Sequence, residues 1–272
     1  MRRVIKCVVI LAVLVGAGTR ASEKQLQVNT NYLYDMRVVS TPKQFLVTPR
    51  WSPTESGLLL SGKNGVGLFF LNTKDLILQE LVADYKGAAL WAADGQSVLT
   101  QQELYKQGRI ILFENEHTQV AHEDYYGQIF VTTNGKTKIL AQEAWGVTIS
   151  PNGKYIAFCL GHLISSQLTV MKLDGQSIYT GPGTHPAWLP QSDRLIYTVP
   201  EPQLTAQGGI KLSGAELYLL DIHKSQSTQL TFSQDTIEMQ PAVSPSGTQL
   251  AFSDWISGSL VLIRLANQGG EQ

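Results

Sequence analysis

The sequence predicts an all-β chain, and three observations predict it. Its 272 residues hold 24 glycines spread among Val, Ile, Leu, Tyr and Thr, a composition of short strands and many turns. Hydrophobic residues make up 43% and charged residues only 16%, which excludes a disordered chain, a coiled coil and a nucleic-acid clamp. One pattern also recurs five times: an aromatic or branched residue, a Ser-Pro-x-Gly-like turn, then a short apolar strand.

In chain order, residues 1–21 are expected to be a signal peptide. Arg2, Arg3 and Lys6 precede an apolar run from Val8 to Ala17, and Thr19-Arg20-Ala21 ends on a small residue. The run is short for a bilayer span, and no later stretch reaches the roughly 20 apolar residues a span needs. Cys7 follows Lys6 rather than a small residue, so lipidation is not expected. Cleavage would remove four cations and no anion from a chain of formal charge −1, leaving an acidic exported protein. The expected location is therefore periplasmic or secreted. Cys159 would be the one cysteine left, in the strand-like run Tyr155–Leu160, and reads as a small buried hydrophobe.

Residues 22–39 form a short N-terminal segment. Lys43–Thr48 looks like an orphan strand ahead of the first repeat. The five repeats are anchored at Ser52, Ala92, Ser150, Leu189 and Ser244, each just after Trp51, Trp91, Ile149, Trp188 and Val243. The turns that follow include Pro151-Asn152-Gly153 and Pro245-Ser246-Gly247. Proline presets φ there and glycine supplies the positive φ that sends the chain back antiparallel. The anchors lie 40, 58, 39 and 55 residues apart, so two intervals match a four-stranded propeller blade and two carry insertions. Third strands such as Gly67–Leu71, Leu168–Met171 and Glu216–Leu220 follow, then fourth strands such as Thr137–Leu140 and Thr228–Thr231. The last repeat stops after three strands, and residues 267–272 are a polar tail. A β-propeller of five four-stranded blades is expected, or six if the insertion at 101–126 hides part of one. Lys43–Thr48 would close the ring by completing the last blade. A β-sandwich would explain the alternation but not the spacing.

These anchors, with strands such as Ile156-Ala157-Phe158 and Leu217-Tyr218-Leu219-Leu220-Asp221, resemble the WD-like propeller repeats of the TolB family. They are also similar to the non-catalytic propellers of prolyl-oligopeptidase-type enzymes. The resemblance covers roughly residues 40–266 and implies a fold rather than an activity. TolB proteins carry an N-terminal α/β domain and the oligopeptidases a hydrolase domain, and this chain has room for neither.

No Gly-x-Ser-x-Gly elbow, phosphate-binding glycine loop or His-Glu-x-x-His is present. The polar cluster Glu114, Glu116, His117, His122, Glu123 and Asp124 has metal-donor types without a metal motif's spacing, and reads as a solvated loop. Tyr125 and Tyr126 beside it read as packing and rim residues. No metal or cofactor is expected. The column holding Trp51, Trp91 and Trp188 reads as packing between blades. Strand alternation assigns the opposite, channel-facing side to residues two and four before each anchor, where Arg50 and His185 stand out.

Two functions are weighed. The first is a non-catalytic protein- or peptide-binding module of the cell envelope, a monomer with no nucleic-acid partner. The second is a small-molecule hydrolase or lyase with its site at the central channel, which would require converging acids or histidines. The columns offer one His and one Arg without an acid partner, and binding is preferred. Loops entering the innermost strands should gather Thr48, Arg50, Lys86, Glu143, Thr184, His185, Glu238 and Gln240 on one rim. Arg50, His185, Glu238 and Gln240 are the expected partner-binding residues. The insertion at 103–126 is the other polar stretch able to build a site.

Overall fold

The computed structural model describes residues 26–39, 45–87, 89–92, 94–100, 104–106, 108–123, 126–233 and 236–266. The expected leader and polar tail lie outside them. The described residues are built from antiparallel strands with two short 3-10 turns.

Strand β1 (Leu33–Val39) comes first. A four-stranded sheet follows: β2 (Val47–Trp51), β3 (Gly57–Ser61), β4 (Val66–Asn72) and β5 (Leu78–Lys86). Next is a two-stranded ladder of β6 (Leu90–Trp91) and β7 (Val98–Leu99), each only two residues long. Then come β8 (Tyr105–Lys106), β9 (Arg109–Glu114), β10 (Thr118–Glu123), β11 (Gly127–Thr133) and β12 (Lys136–Ile149). These continue through β13 (Tyr155–Leu160), β14 (Gln167–Lys172) and β15 (Ser177–Pro182) as an eight-stranded ladder. Its middle member is split in use, because β12 pairs with β11 through residues 136–144 and with β13 through residues 145–149. A four-stranded sheet of β16 (Thr184–Trp188), β17 (Arg194–Leu204), β18 (Ile210–Asp221) and β19 (Gln226–Gln229) follows. The last sheet contains β20 (Glu238–Val243), β21 (Gln249–Asp254) and β22 (Ser259–Leu265), and its fourth strand is β1.

Two expectations are corrected here. The partner of β22 is Leu33–Val39, in the segment read as a short N-terminal lead-in, and not Lys43–Thr48. Leu33 lies opposite Leu265 and Val39 opposite Leu260. Val47 and Thr48 instead open β2, the first strand of their own sheet, and residues 43–44 lie outside the described ones. The polar stretch read as a solvated loop inside the insertion is also structured, since β10 pairs with β9 on one side and with β11 on the other.

The turns predicted from Pro and Gly form as expected. Gly95, Gly153 and Gly247 all have φ near +70°, and the Ser150 and Ser244 hydroxyls accept from the Tyr155 and Gln249 amides. These turns also touch their neighbours. Ser52 Oγ donates to Gly95 O at 3.1 Å, Asn152 N to Ser192 Oγ at 3.0 Å, and Ser246 N to Glu55 Oε1.

The core lies between sheets in separate seams. Trp51 packs with Leu58, Leu60, Leu260 and Leu262 where the first sheet meets the last. Trp188 packs with Ala157, Leu195 and Tyr197, and its ring stacks on Tyr155. The tryptophan column is therefore packing, with an added bond. Each indole N–H donates to a backbone carbonyl of the neighbouring sheet: Trp51 to Ala242 at 2.9 Å, Trp91 to Arg50 at 3.0 Å and Trp188 to Thr148 at 3.5 Å. Cys159 is buried as expected, and burial pushes its thiol up to about 11.

Candidate functional site: the face where the innermost strands begin

At four of the five anchors the residue four before has one unusual backbone conformation, and at the fifth that residue, Ala88, lies outside the described ones. Thr48, Gly146, His185 and Gln240 have φ of +52°, +58°, +51° and +58°. The register slips at the same place in each strand, between Val47 and Arg50, Trp145 and Thr148, Thr184 and Ala187, and Met239 and Ala242. Positive φ is a steric cost for every residue here except the glycine, largest for β-branched Thr48. The visible signal was the proline that follows three of the four, at Pro49, Pro186 and Pro241. A proline has no N–H for the ladder, so the strand must break there. The break overturns the simple alternation expected along these strands. It brings the four residues to one end of their strands, and Thr48 N donates to Gln240 Oε1 at 2.8 Å between neighbouring sheets.

The expected rim divides into groups. Arg50 is partly buried, its Nη1 donating to Ala89 O at 2.8 Å, and desolvation lowers its pKa from the usual value. It lines a cavity of about 600 Å³ with Thr48, Asn64, Leu59, Leu68 and Lys86. Lys86 is exposed at the edge of this cavity, and Glu143 is exposed elsewhere. His185 stands edge-on to Trp145 with centroids 5.5 Å apart, and its Nδ1 lies 3.1 Å from Thr184 Oγ1. Burial pushes its imidazole down to about 4, so it is neutral at physiological pH and cannot serve as a cation.

Thr184 and Glu238 are not rim residues. Both are fully buried, and Glu238, two residues before the break at Gln240, lies in the seam between β18 and β20. Its Oε1 accepts from Ser233 Oγ at 2.6 Å and from Thr236 Oγ1 at 3.3 Å. Its Oε2, and that of Glu216 nearby, have no hydrogen-bond partner among the described residues. Burial first, then the Glu216 charge, raises Glu238 to about 8. Burial likewise raises Glu216 to about 7. Two carboxylates thus share a seam with hydroxyl donors.

The described members of the polar cluster read from 114 to 124 do not converge, and Asp124 lies outside the described residues. Glu114 accepts from Gln119 Nε2 at 2.7 Å, Glu123 lies 3.8 Å from Arg109, and the buried His122 ring is 3.0 Å from Ala144 O. His117 sits on a turn whose amide is held by Asn115 Oδ1. No group of three or more His, Cys, Asp or Glu side chains gathers as a metal cage requires among the described residues. Tyr126, read as a packing and rim residue, joins an aromatic group, while Tyr125 lies outside the described residues. Tyr126, at the β10–β11 turn, lies 6.1 Å from the Trp145 ring and 6.4 Å from that of His162. Trp145 was hidden because no anchor pattern precedes it.

No family model matches the chain, and no curated protein is a sequence relative. Solved structures do match. A putative TolB from Agrobacterium tumefaciens is 13% identical, covers 89% of this chain and 99% of its own, and has a TM-score of 0.50. A gluconolactonase from Xanthomonas campestris, with 10% identity and coverages of 93% and 99%, has a TM-score of 0.59. The structure of U3-55K has a TM-score of 0.54 at 10% identity, over 85% of this chain and 98% of that one. At such identities the likeness concerns fold alone. This chain has the fold of a TolB-like β-propeller. No helix among the described residues is long and apolar enough to cross a membrane.

Proposed function

We propose that the chain is an exported, monomeric, non-catalytic propeller that binds a protein or peptide of the cell envelope. The ring is closed by pairing β1 with β22. It has six units, the sixth supplied by β9, β10, β11 and the first half of β12 from the insertion. The binding surface is the face where the innermost strands begin. The observation that carries this reading is the repeated break at Thr48, Gly146, His185 and Gln240. One strained device used in four sheets aims side chains from distant parts of the sequence at one surface. That surface combines a cation at Lys86, amides at Asn64 and Gln240 and the aromatic edge of Tyr126. Such a mixture suits a polar peptide or protein loop. Catalysis is less well supported, because the two carboxylates with raised pKa are enclosed in a seam away from the cavity.

The test is capture of a partner from envelope extract on the immobilised protein, followed by affinity measurements with a Lys86→Ala/Tyr126→Ala variant. Both residues are exposed, so the fold should survive. A drop of roughly tenfold or more is expected from losing two such anchors. Unchanged affinity would move the surface to the strands of 103–126.

A further inference from the structure

The seam between the first sheet and β6–β7 is unlike the others. Among the described residues the neighbouring ladder is two residues long on each strand, and these cover only part of the face presented by β3 and β4. Leu59, Leu68 and Ala89 are the only buried members of the cluster there, and the cavity of about 600 Å³ opens beside them. Into it comes the Arg50 guanidinium, which carries five N–H donors and cannot shed its charge. Its one hydrogen bond among the described residues goes to a neutral carbonyl, that of Ala89. The ion pairs among the described residues are Arg109–Glu123, Arg194–Asp193, Lys224–Asp221 and Arg264–Asp35, so neither Arg50 nor Lys86 has a carboxylate partner there. A cation drawn partly out of water beside an apolar wall, with no anion against it, leaves donors for an anion to fill.

We propose that this cavity takes the C-terminal residue of a peptide, with its carboxylate on Arg50 and its apolar side chain against Leu59 and Leu68. The planar guanidinium fork matches a carboxylate in a bidentate arrangement. Lys86 at the entrance adds a second positive charge that steers the anion inward. The apolar wall disfavours a bare inorganic anion, which would leave that wall uncovered. The inference rests on the reading of this face as a binding surface, and it names the chemistry received there.

The probe is the peptide acetyl-Gly-Gly-Leu with a free carboxylate, titrated calorimetrically into the purified protein. Saturable binding is expected, with at least tenfold weaker affinity for the same peptide amidated at its C-terminus. Arg50→Met, checked for unchanged melting, should lose at least tenfold. Lys86→Ala, which is exposed and cannot disturb the core, should lose two- to fivefold. Equal affinity for the amide, an Arg50→Met variant that binds like the parent, or inorganic phosphate binding as tightly as the peptide would each overturn the proposal. So would absence of saturation while an envelope partner is still captured, which leaves the binding-face reading intact. Peptide binding without partner capture would do the reverse.

Discussion

The two faces of the first sheet are made by the same strands and have opposite fates. On β3, Leu58 and Leu60 point toward the last sheet and Leu59 points toward β6–β7. The first face is closed by Trp51, Phe69 and Leu71 together with Ala251, Leu260 and Leu262. The second holds three buried residues, the partly buried Tyr85, Trp91 and Val98, and the cavity with Arg50. Both faces have the same indole-to-carbonyl bond, from Trp51 and from Trp91. The difference is therefore not in the sheet but in its neighbour. Among the described residues, the four-stranded neighbour closes its seam and the two-stranded one leaves a space beside it.

The largest expected effect tests this asymmetry directly. Trp51→Ala should cost about 3–5 kcal/mol, the usual range for truncating a buried aromatic. Trp91→Ala, which loses the same bond but less packing, should cost about half of that or less. Guanidinium unfolding of both variants measures it, and equal losses would break the comparison. Trp188→Ala should follow Trp51, since its ring is as buried.

The next concerns how a seam tolerates charge. Glu238 and Glu216 are raised to about 8 and about 7, above the usual 4.5. The folded state therefore holds protons that the unfolded chain has released, and stability falls as pH rises from about 4.5 to 8. Glu238→Gln removes its share of that penalty. It should match the parent near pH 4 and exceed it at pH 8 by on the order of 2–4 kcal/mol. A parent with a flat pH profile over this interval would contradict the assignment.

Arg50 sharpens the contrast, because it cannot neutralise itself as a carboxylate can. Arg50→Met, of similar length and uncharged, should be neutral or stabilising by up to about 1 kcal/mol. Thermal melting at pH 7 decides it. A clear loss would mean that the guanidinium is a structural tie to Ala89 rather than a charge awaiting a partner. The smallest effect belongs to the exposed pair Arg109–Glu123, where Glu123→Gln should change stability by less than about 0.5 kcal/mol.

What could be read in advance follows the turn chemistry. Strands flanked by Ser-Pro-x-Gly, such as Tyr155–Leu160 and Gln249–Asp254, lie where the pattern put them. β1 escaped notice because Asp35 and Arg37 interrupt its apolar residues, and Asp35 takes a φ of +52° where the register shifts. β10 escaped because His122 and Glu123 look like loop residues, although His122 is buried by a bond to Ala144 that nothing in its own segment announces. Arg50 was visible as a lone cation in a column of small residues. Glu238 was placed on the rim because it stands just before an innermost strand, but it lies inside β20 and its side chain is buried. Its burial depends on Ser233 and Thr236, whose hydroxyls come from the stretch leading into β20.

The pairing of β1 with β22 has a consequence in time. Leu33 and Leu265 are opposite each other, and Ala266 N donates to Tyr32 O at 2.8 Å. A ribosome makes Ser259–Leu265 long after Leu33–Val39, and through that interval Leu33–Val39 is an unclaimed edge. Such distant pairing is slow to find and open to capture by other chains until it is made. An exported chain held unfolded until translocation is complete would meet both ends together, and the first strand would not wait alone.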